Sequence, residues 1–327
     1  MENSLIILLL CIVQTIIYEK SNKISSYLSL YDLPDYERKI HTTPVSSIGG
    51  IPFFLFTFFI LYNFKNDLDF NTINIIGLFI IFFGSFILGF LDDIFNLSSL
   101  SRIVFSLLIF FIGVFFCEYL IISNLYFETI NINLDITNYA IPFTVLCFLV
   151  CQNALNMFDG INGASGFFAT FVIIVLTFFS NGSDYQFVII SILPTLFIFL
   201  YFNCQGKIFL GNNGTYIYSS IIAALIILIY KDISQTLNIL SVELIFFILI
   251  VPGLDMVRLF LVRIYNEKNP FTADKNHLHH ILLENYGLKN TQIILIVIFL
   301  SQLLFLLINI NVNLLLFLYS FLYLLII

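Results

Sequence analysis

Charge is what this chain has least of. Only 10% of its 327 residues are Asp, Glu, Lys or Arg, against about 25% in soluble globular domains. With 60% hydrophobic residues and a mean hydropathy of +1.03, that scarcity excludes a soluble domain and leaves a polytopic membrane protein. Cysteine is sparse as well. Cys11, Cys117, Cys147, Cys151 and Cys204 lie within or beside apolar runs with no paired extracellular spacing. This excludes a disulfide framework and predicts reduced, structural thiols. The N-terminal stretch, 1–17, lacks a basic n-region and a small-residue cleavage site, so it reads as a first span rather than a cleaved leader. No internal repeat or low-complexity linker is visible, and 1–327 reads as a single integral-membrane domain.

Hydropathy predicts an all-α protein with eleven transmembrane helices, at 3–19, 46–64, 73–91, 100–122, 138–152, 164–180, 186–203, 215–230, 236–253, 291–308 and 312–327. The last two are short and close together, so ten is the alternative count. If loops alternate sides, the odd-numbered ones and the tail of the first span hold 11 of the 13 Lys and Arg residues; only Lys65 and Lys231 fall on the other side. The positive-inside rule then predicts an outside N-terminus and cytoplasmic odd loops in a multi-pass protein of the plasma (inner) membrane.

Against this apolar background, three polar clusters stand out, all in loops predicted to be cytoplasmic. Intramembrane acids, amides and histidines are costly and generally functional. The first cluster, Asp92-Asp93, closes the third span; adjacent carboxylates suit a divalent metal, although an acidic helix end facing water is the plain alternative. In the second, Asn153, Asn156 and Asp159 recur every three residues, which predicts one helix face, followed by Gly160-Ile161-Asn162-Gly163. Oxygen donors of this kind suit Mg²⁺; an Asn-rich helix end is the rival. The third is His277-Leu278-His279-His280, holding three of the four histidines. Zinc is a rival there, but no Cys ligand or H-E-x-x-H spacing accompanies it. Imidazoles near Lys275 and Arg263 fit better as donors to sugar hydroxyls or phosphate oxygens. Two further stretches belong to the same side: Arg38-Lys39 through Gly49-Gly50, and Phe209-Leu210-Gly211-Asn212-Asn213-Gly214-Thr215, where a helix N-terminus would favour phosphate.

Together these motifs, collinear from about Arg38 to Leu283, resemble the polyprenyl-phosphate N-acetylhexosamine-1-phosphate transferase family, in its undecaprenyl-phosphate GlcNAc-1-phosphate branch (glycosyltransferase family 4). The resemblance implies transfer of sugar-1-phosphate from a UDP-N-acetylhexosamine to undecaprenyl or another polyprenyl phosphate, with release of UMP. The step would depend on Mg²⁺, with Mn²⁺ as a substitute, and would be the first membrane step of surface polysaccharide, O-antigen or teichoic-type glycan synthesis. By the same resemblance Asp92, Asp93 and Asp159 are catalytic candidates, and Asn156, Asn212 and Asp93 metal candidates. Lys39, Asn153, Asn162, Asn203, Lys207, Arg263, His277, His279 and His280 are substrate-binding candidates. Ile281-Leu282-Leu283 follows the histidines where the peptidoglycan branch has a longer His run and Phe-Glu, which argues against a MurNAc-pentapeptide substrate. One departure stands out: the family usually has Gly-Asp-x-Gly-Ser where this chain has Gly211-Asn212-Asn213-Gly214-Thr215, so a metal-ligating Asp is replaced by a neutral amide.

The expected partners are the UDP-sugar, the polyprenyl phosphate and membrane lipid, with a homodimer as an option and no nucleic acid. Catalysis would consist of in-line positioning and charge screening by Lys39, Lys207 and the bases near the histidines. A single displacement is favoured over an aspartyl-phosphate route. Two rivals remain at this point: a polytopic transporter, and a non-catalytic protein that binds polyprenyl phosphate, the latter motivated by Asn212.

Overall fold

The computed structural model describes residues 2–34, 42–68, 70–232, 240–269, 276–308 and 310–327. Fourteen α-helices run through the described residues, with two short antiparallel β-hairpins beside them. Six helices are long and apolar enough to cross a membrane, or up to eight if each of two bent pairs forms one span, against the eleven expected. The chain is a multi-pass membrane protein built largely from helices.

Three of the expected spans, at 46–64, 164–180 and 312–327, are helices of only 17, 16 and 15 residues, and others are bent. The first span is α1 (Glu2–Glu19), and the chain then bends by 74° into α2 (Ser21–Leu28). The span expected at 236–253 is broken: α11 (Val242–Ile248) meets α12 (Ile250–Tyr265) at 78°. The span expected at 291–308 is the distal part of α13 (Leu278–Leu307), a helix kinked at Gly287 that begins inside the histidine cluster. A shorter helix, α14 (Val312–Ile326), ends the chain.

One helix organises the bundle. α10 (Gly211–Lys231) packs against α3 (Gly50–Asn66), α4 (Thr72–Phe95), α6 (Ala140–Phe158) and α7 (Ala164–Phe179), and every residue from Asn213 to Tyr230 is buried. Its 21 residues rise about 31 Å, close to the roughly 30 Å of a bilayer core. With no lipid-facing side, it carries buried hydroxyls: Ser220 and Ser85 of α4 share a 2.8 Å hydrogen bond. Such interhelical bonds contribute about 0.6 kcal/mol each, and their value lies in fixing register.

The two ends of α10 differ. At its C-terminal end the Tyr230 hydroxyl accepts the Tyr126 N–H (2.8 Å) and donates to the Asn124 carbonyl (2.9 Å), anchoring the hairpin β3 (Asn124–Phe127) and β4 (Ile132–Asp135). At its N-terminal end it meets the end of α4, the start of α3 and the small hairpin β1 (Tyr31–Asp32) and β2 (Val45–Ser46). The polar clusters gather at this second end.

Candidate active site at one end of the bundle

The site is assembled where α4 stops. Asn96 takes a left-handed conformation that ends α4, and the Ser98 side chain caps α5 (Ser99–Phe116) two residues later. This leaves Asp93 directed at the first turn of α10. Its Oδ1 accepts the Asn212 N–H (2.9 Å), and its Oδ2 accepts both the Asn213 N–H (2.9 Å) and the Asn213 side-chain amide (2.5 Å). A carboxylate at a helix N-terminus is stabilised by the orphan N–H groups and the macrodipole there. The approach is close: a Cβ on Gly89, one turn before Asp93, would lie 2.2 Å from the Asn212 carbonyl oxygen. The expectation that this helix N-terminus would hold phosphate therefore needs correction. Its first side-facing donors are already engaged by Asp93.

Asn213 is the residue that the sequence reading missed. Fully buried, it also donates to the Ser47 carbonyl (2.6 Å), and its Oδ1 accepts the Gly50 N–H (3.0 Å). One side chain thereby joins α10, α4 and the Gly49-Gly50 entry to α3. It sits beside Asn212 in a motif already singled out, so position was the available signal.

Asp92 has different partners from its neighbour. It is buried and accepts the Leu97 N–H (2.9 Å), the Arg102 guanidinium (3.3 Å) and the Tyr216 hydroxyl (3.3 Å). The adjacent pair thus splits into an Arg-paired acid and a helix-capping acid.

The end of α6 contributes the amides. Asn156 Oδ1 accepts the Thr215 hydroxyl at 2.9 Å, linking α6 to α10, whereas the Asn153 amide donates within its own helix to the Leu149 carbonyl (2.8 Å). Asp159 does not continue the helix face expected for it. It is the residue after α6, with φ −82° and ψ 54°, and accepts the Ser165 hydroxyl. Burial raises its carboxyl to about 7; the Ser165 hydrogen bond opposes the shift, and the negative charges of Asp93 and Asp32 add to it. Asp32, on β1, is a second residue that sequence reasoning missed, since an isolated loop Asp carries no signal.

Asn203, expected to bind nucleotide, has its amide engaged structurally. Oδ1 accepts the Gly163 N–H (2.7 Å) and Nδ2 donates to the Ile208 carbonyl (2.9 Å), clamping two turns together. Asn162 is held by its carbonyl, which accepts from Gln292 of α13 (2.8 Å). Lys207 is exposed, its Nζ 5.6 Å from the Phe202 ring centroid, and lines a cleft of about 480 Å³ with Tyr18, Pro44 and Gly206. Arg263 is buried at the end of α12. Lys39 lies outside the described residues.

The histidines form a stack at the start of α13. Ring centroids are 5.4 Å apart for His277 and His279, and 4.4 Å for His279 and His280. His279 is wholly buried against Phe158 and Gly160, and neither ring nitrogen has a hydrogen-bond partner among the described residues. A Cβ on Gly160 would fall 1.8 Å from His279 Nε2, so only glycine lets the turn and the ring approach this closely. His277 instead bonds through Nδ1 to Asp255 Oδ2 at 2.9 Å.

Among the described residues no group of three or more His, Cys, Asp and Glu side chains gathers as a metal cage. The donor chemistry at Asp93, Asn156, Asp159 and Asn212 is all oxygen, and Asp93 and Asp32 oppose ionisation of Asp159. Acids that oppose one another's ionisation fit a hard cation such as Mg²⁺.

The family model for glycosyl transferase family 4 matches residues 75–230, the stretch from α4 through α10. Curated proteins named undecaprenyl-phosphate alpha-N-acetylglucosaminyl 1-phosphate transferase are similar over most of the chain. That of Thermotoga maritima is 26% identical over 267 residues, 81% of this chain and 77% of its own. That of Haemophilus influenzae is 24% identical over 291 residues, covering 85% and 78%. That of Escherichia coli K12 is 25% identical over 278 residues, covering 80% and 71%. The matched stretch contains Asp92, Asp93, Asn156, Asp159 and Asn212; the histidine cluster lies beyond it, and α13 brings His279 against Phe158 and Gly160.

Proposed function

We propose that this chain is a phosphoglycosyl transferase. It transfers an N-acetylhexosamine-1-phosphate, GlcNAc-1-phosphate by default, from a UDP-sugar to a polyprenyl phosphate such as undecaprenyl phosphate and releases UMP. The observation that carries this reading is the joining of Asp93, Asn156, Asp159 and the His277–His280 stack at one end of the bundle, in a chain similar to proteins named for that reaction. The site would face the cytoplasm, where the Lys and Arg bias puts the same loops, with the N-terminus outside.

Asp93, Asn156, Asp159 and Asn212 would hold Mg²⁺, or Mn²⁺ in its place. Bound there, the ion supplies neutralisation of phosphate charge. The protein's own contribution is largely positional. Asp93 and Asn213 fix the start of α10 against α4, and Asn156 is set by Thr215. His277 and His280 offer ring nitrogens toward the sugar and its phosphate, while Lys207 and Lys39 screen two anionic reactants from one another. The acceptor tail would lie along the lipid-facing helices. Attack of the acceptor phosphate oxygen on the sugar-bound phosphorus, with UMP leaving, needs no covalent enzyme intermediate. The product would be the first lipid-linked sugar of a surface glycan.

Asn212 motivates a second reading, in which the chain binds polyprenyl phosphate without turnover. Both are tested by UMP release from UDP-GlcNAc with undecaprenyl phosphate and Mg²⁺, wild type beside Asp159→Asn. Release that needs lipid and Mg²⁺ and is lost in the variant is expected. Folded wild type that releases no UMP with any UDP-N-acetylhexosamine, yet binds the lipid, would establish the second reading.

A further inference from the structure

Asp255 has no place in the site as read from sequence, yet it is the most densely bonded acid among the described residues. Only 2% exposed, it accepts on Oδ1 from the Tyr323 hydroxyl (2.8 Å), the Leu278 N–H (2.9 Å) and the Arg258 guanidinium (3.1 Å). Its Oδ2 faces one partner, His277 Nδ1, at 2.9 Å. Arg258 reinforces the arrangement by donating to the Tyr323 hydroxyl (2.8 Å) and to the Asn276 carbonyl.

We infer that Asp255 is a positioning residue that fixes the tautomer and ring orientation of His277, and that the terminal helix α14 takes part through Tyr323. Donor count decides where the proton lies. Three donors aim at Oδ1, so the carboxylate cannot rotate without losing them. Oδ2 accepts only, and His277 Nδ1 must therefore carry a proton. Nε2 is left as the ring's outward group. Because the His277 ring stacks on His279, and His279 seals against Gly160, the setting of His277 passes to the whole histidine stack. The link also explains the Leu278 contact: the same carboxylate that orients His277 accepts from the first N–H of α13, so ring and helix start are placed together.

This inference rests on the transferase reading for its consequence, but not for its geometry. Asp255→Asn separates the two. The three Oδ1 donors hold the amide oxygen in place, which turns the NH₂ toward His277. That NH₂ donates to Nδ1 and drives the proton to Nε2, with almost no change in volume. The experiment uses full-length protein in micelles with ¹⁵N-labelled histidine rings, the His277 signals being assigned from His277→Gln. Wild type is expected to keep Nδ1 protonated into alkaline solution, and Asp255→Asn to show an unprotonated Nδ1. In the UMP-release assay the variant should lose turnover about 10- to 100-fold while its KM for the UDP-sugar changes by less. Tyr323→Phe removes one Oδ1 donor and keeps the carboxylate, so it should retain the wild-type tautomer with a loss of only a few fold. An unprotonated Nδ1 in wild type, or a tautomer unaltered in Asp255→Asn, would overturn the inference. So would a switched tautomer with wild-type turnover. If wild type itself releases no UMP, the transferase reading fails, and the ring spectra still decide the Asp255–His277 relationship.

Discussion

Asp93 Oδ2 and the Asn213 side-chain amide are 2.5 Å apart, and through that contact the last turn of α4 caps the first turn of α10. The candidate site is therefore built on a junction of two long helices, which is a rigid support. Because Asn213 also holds Ser47 and Gly50, the junction is a three-way one.

Removing its centre should be costly. Asn213→Ala leaves the buried Gly50 N–H and Ser47 carbonyl unpaired, and each such group costs about 1–3 kcal/mol. We expect a loss of roughly 3 kcal/mol, read as a fall in thermal unfolding temperature in detergent, with activity abolished. A shift of under about 1 kcal/mol would mean that water or a shifted backbone replaces these bonds.

Asp159 sets a pH dependence. Its folded-state carboxyl titrates at about 7, raised chiefly by burial, against 3.8 for the ordinary group. Between those values the metal-free folded protein holds a proton that the unfolded chain has released. Stability therefore falls as pH rises across this window, on the order of a few kcal/mol at most. Denaturation of metal-free protein at several pH values should show that slope, and Asp159→Asn should flatten it. An unchanged slope in the variant would assign the effect to other groups.

Gly160→Ala should unseat His279. A methyl group 1.8 Å from the ring nitrogen cannot be accommodated without displacing the ring or the turn, and such overpacking costs about 1–3 kcal/mol. UMP release should drop by well over tenfold. Combining it with His279→Ala should recover much of the stability but not the activity; additive losses in the double variant would show that the two residues do not collide.

Asn212→Asp should increase affinity for the metal. Adding a carboxylate to the oxygen set raises the ligand charge, and the Mg²⁺ concentration giving half-maximal UMP release should fall about tenfold, taking ~1.4 kcal/mol as one decade. The same variant without metal should be less stable, because another acid joins Asp93 and Asp159. A higher Mg²⁺ requirement would show that the amide is the better ligand in this framework.

The sequence by itself determined the membrane class and the grouping of the polar motifs on one side. Composition and Lys/Arg bias are one-dimensional properties, and a bilayer admits few ways to hide a backbone. Asp93, Asn156 and the histidines were legible for the same reason: polar groups are conspicuous in apolar surroundings. The span count was less legible, because hydropathy marks apolar runs without fixing helix length, and the bend between Ile248 and Ile250 falls inside an unbroken apolar run. Roles were decided only in three dimensions. Asn203 and Asn213 look alike in the chain; one clamps two turns and the other joins three helices. Asp92 and Asp93 are neighbours, yet Arg102 takes one and the start of α10 takes the other. Asp255 meets Tyr323 across 68 residues. Hydrogen-bond partners so distant in sequence depend on how helices pack, and the pattern of a single helix holds no record of its neighbour.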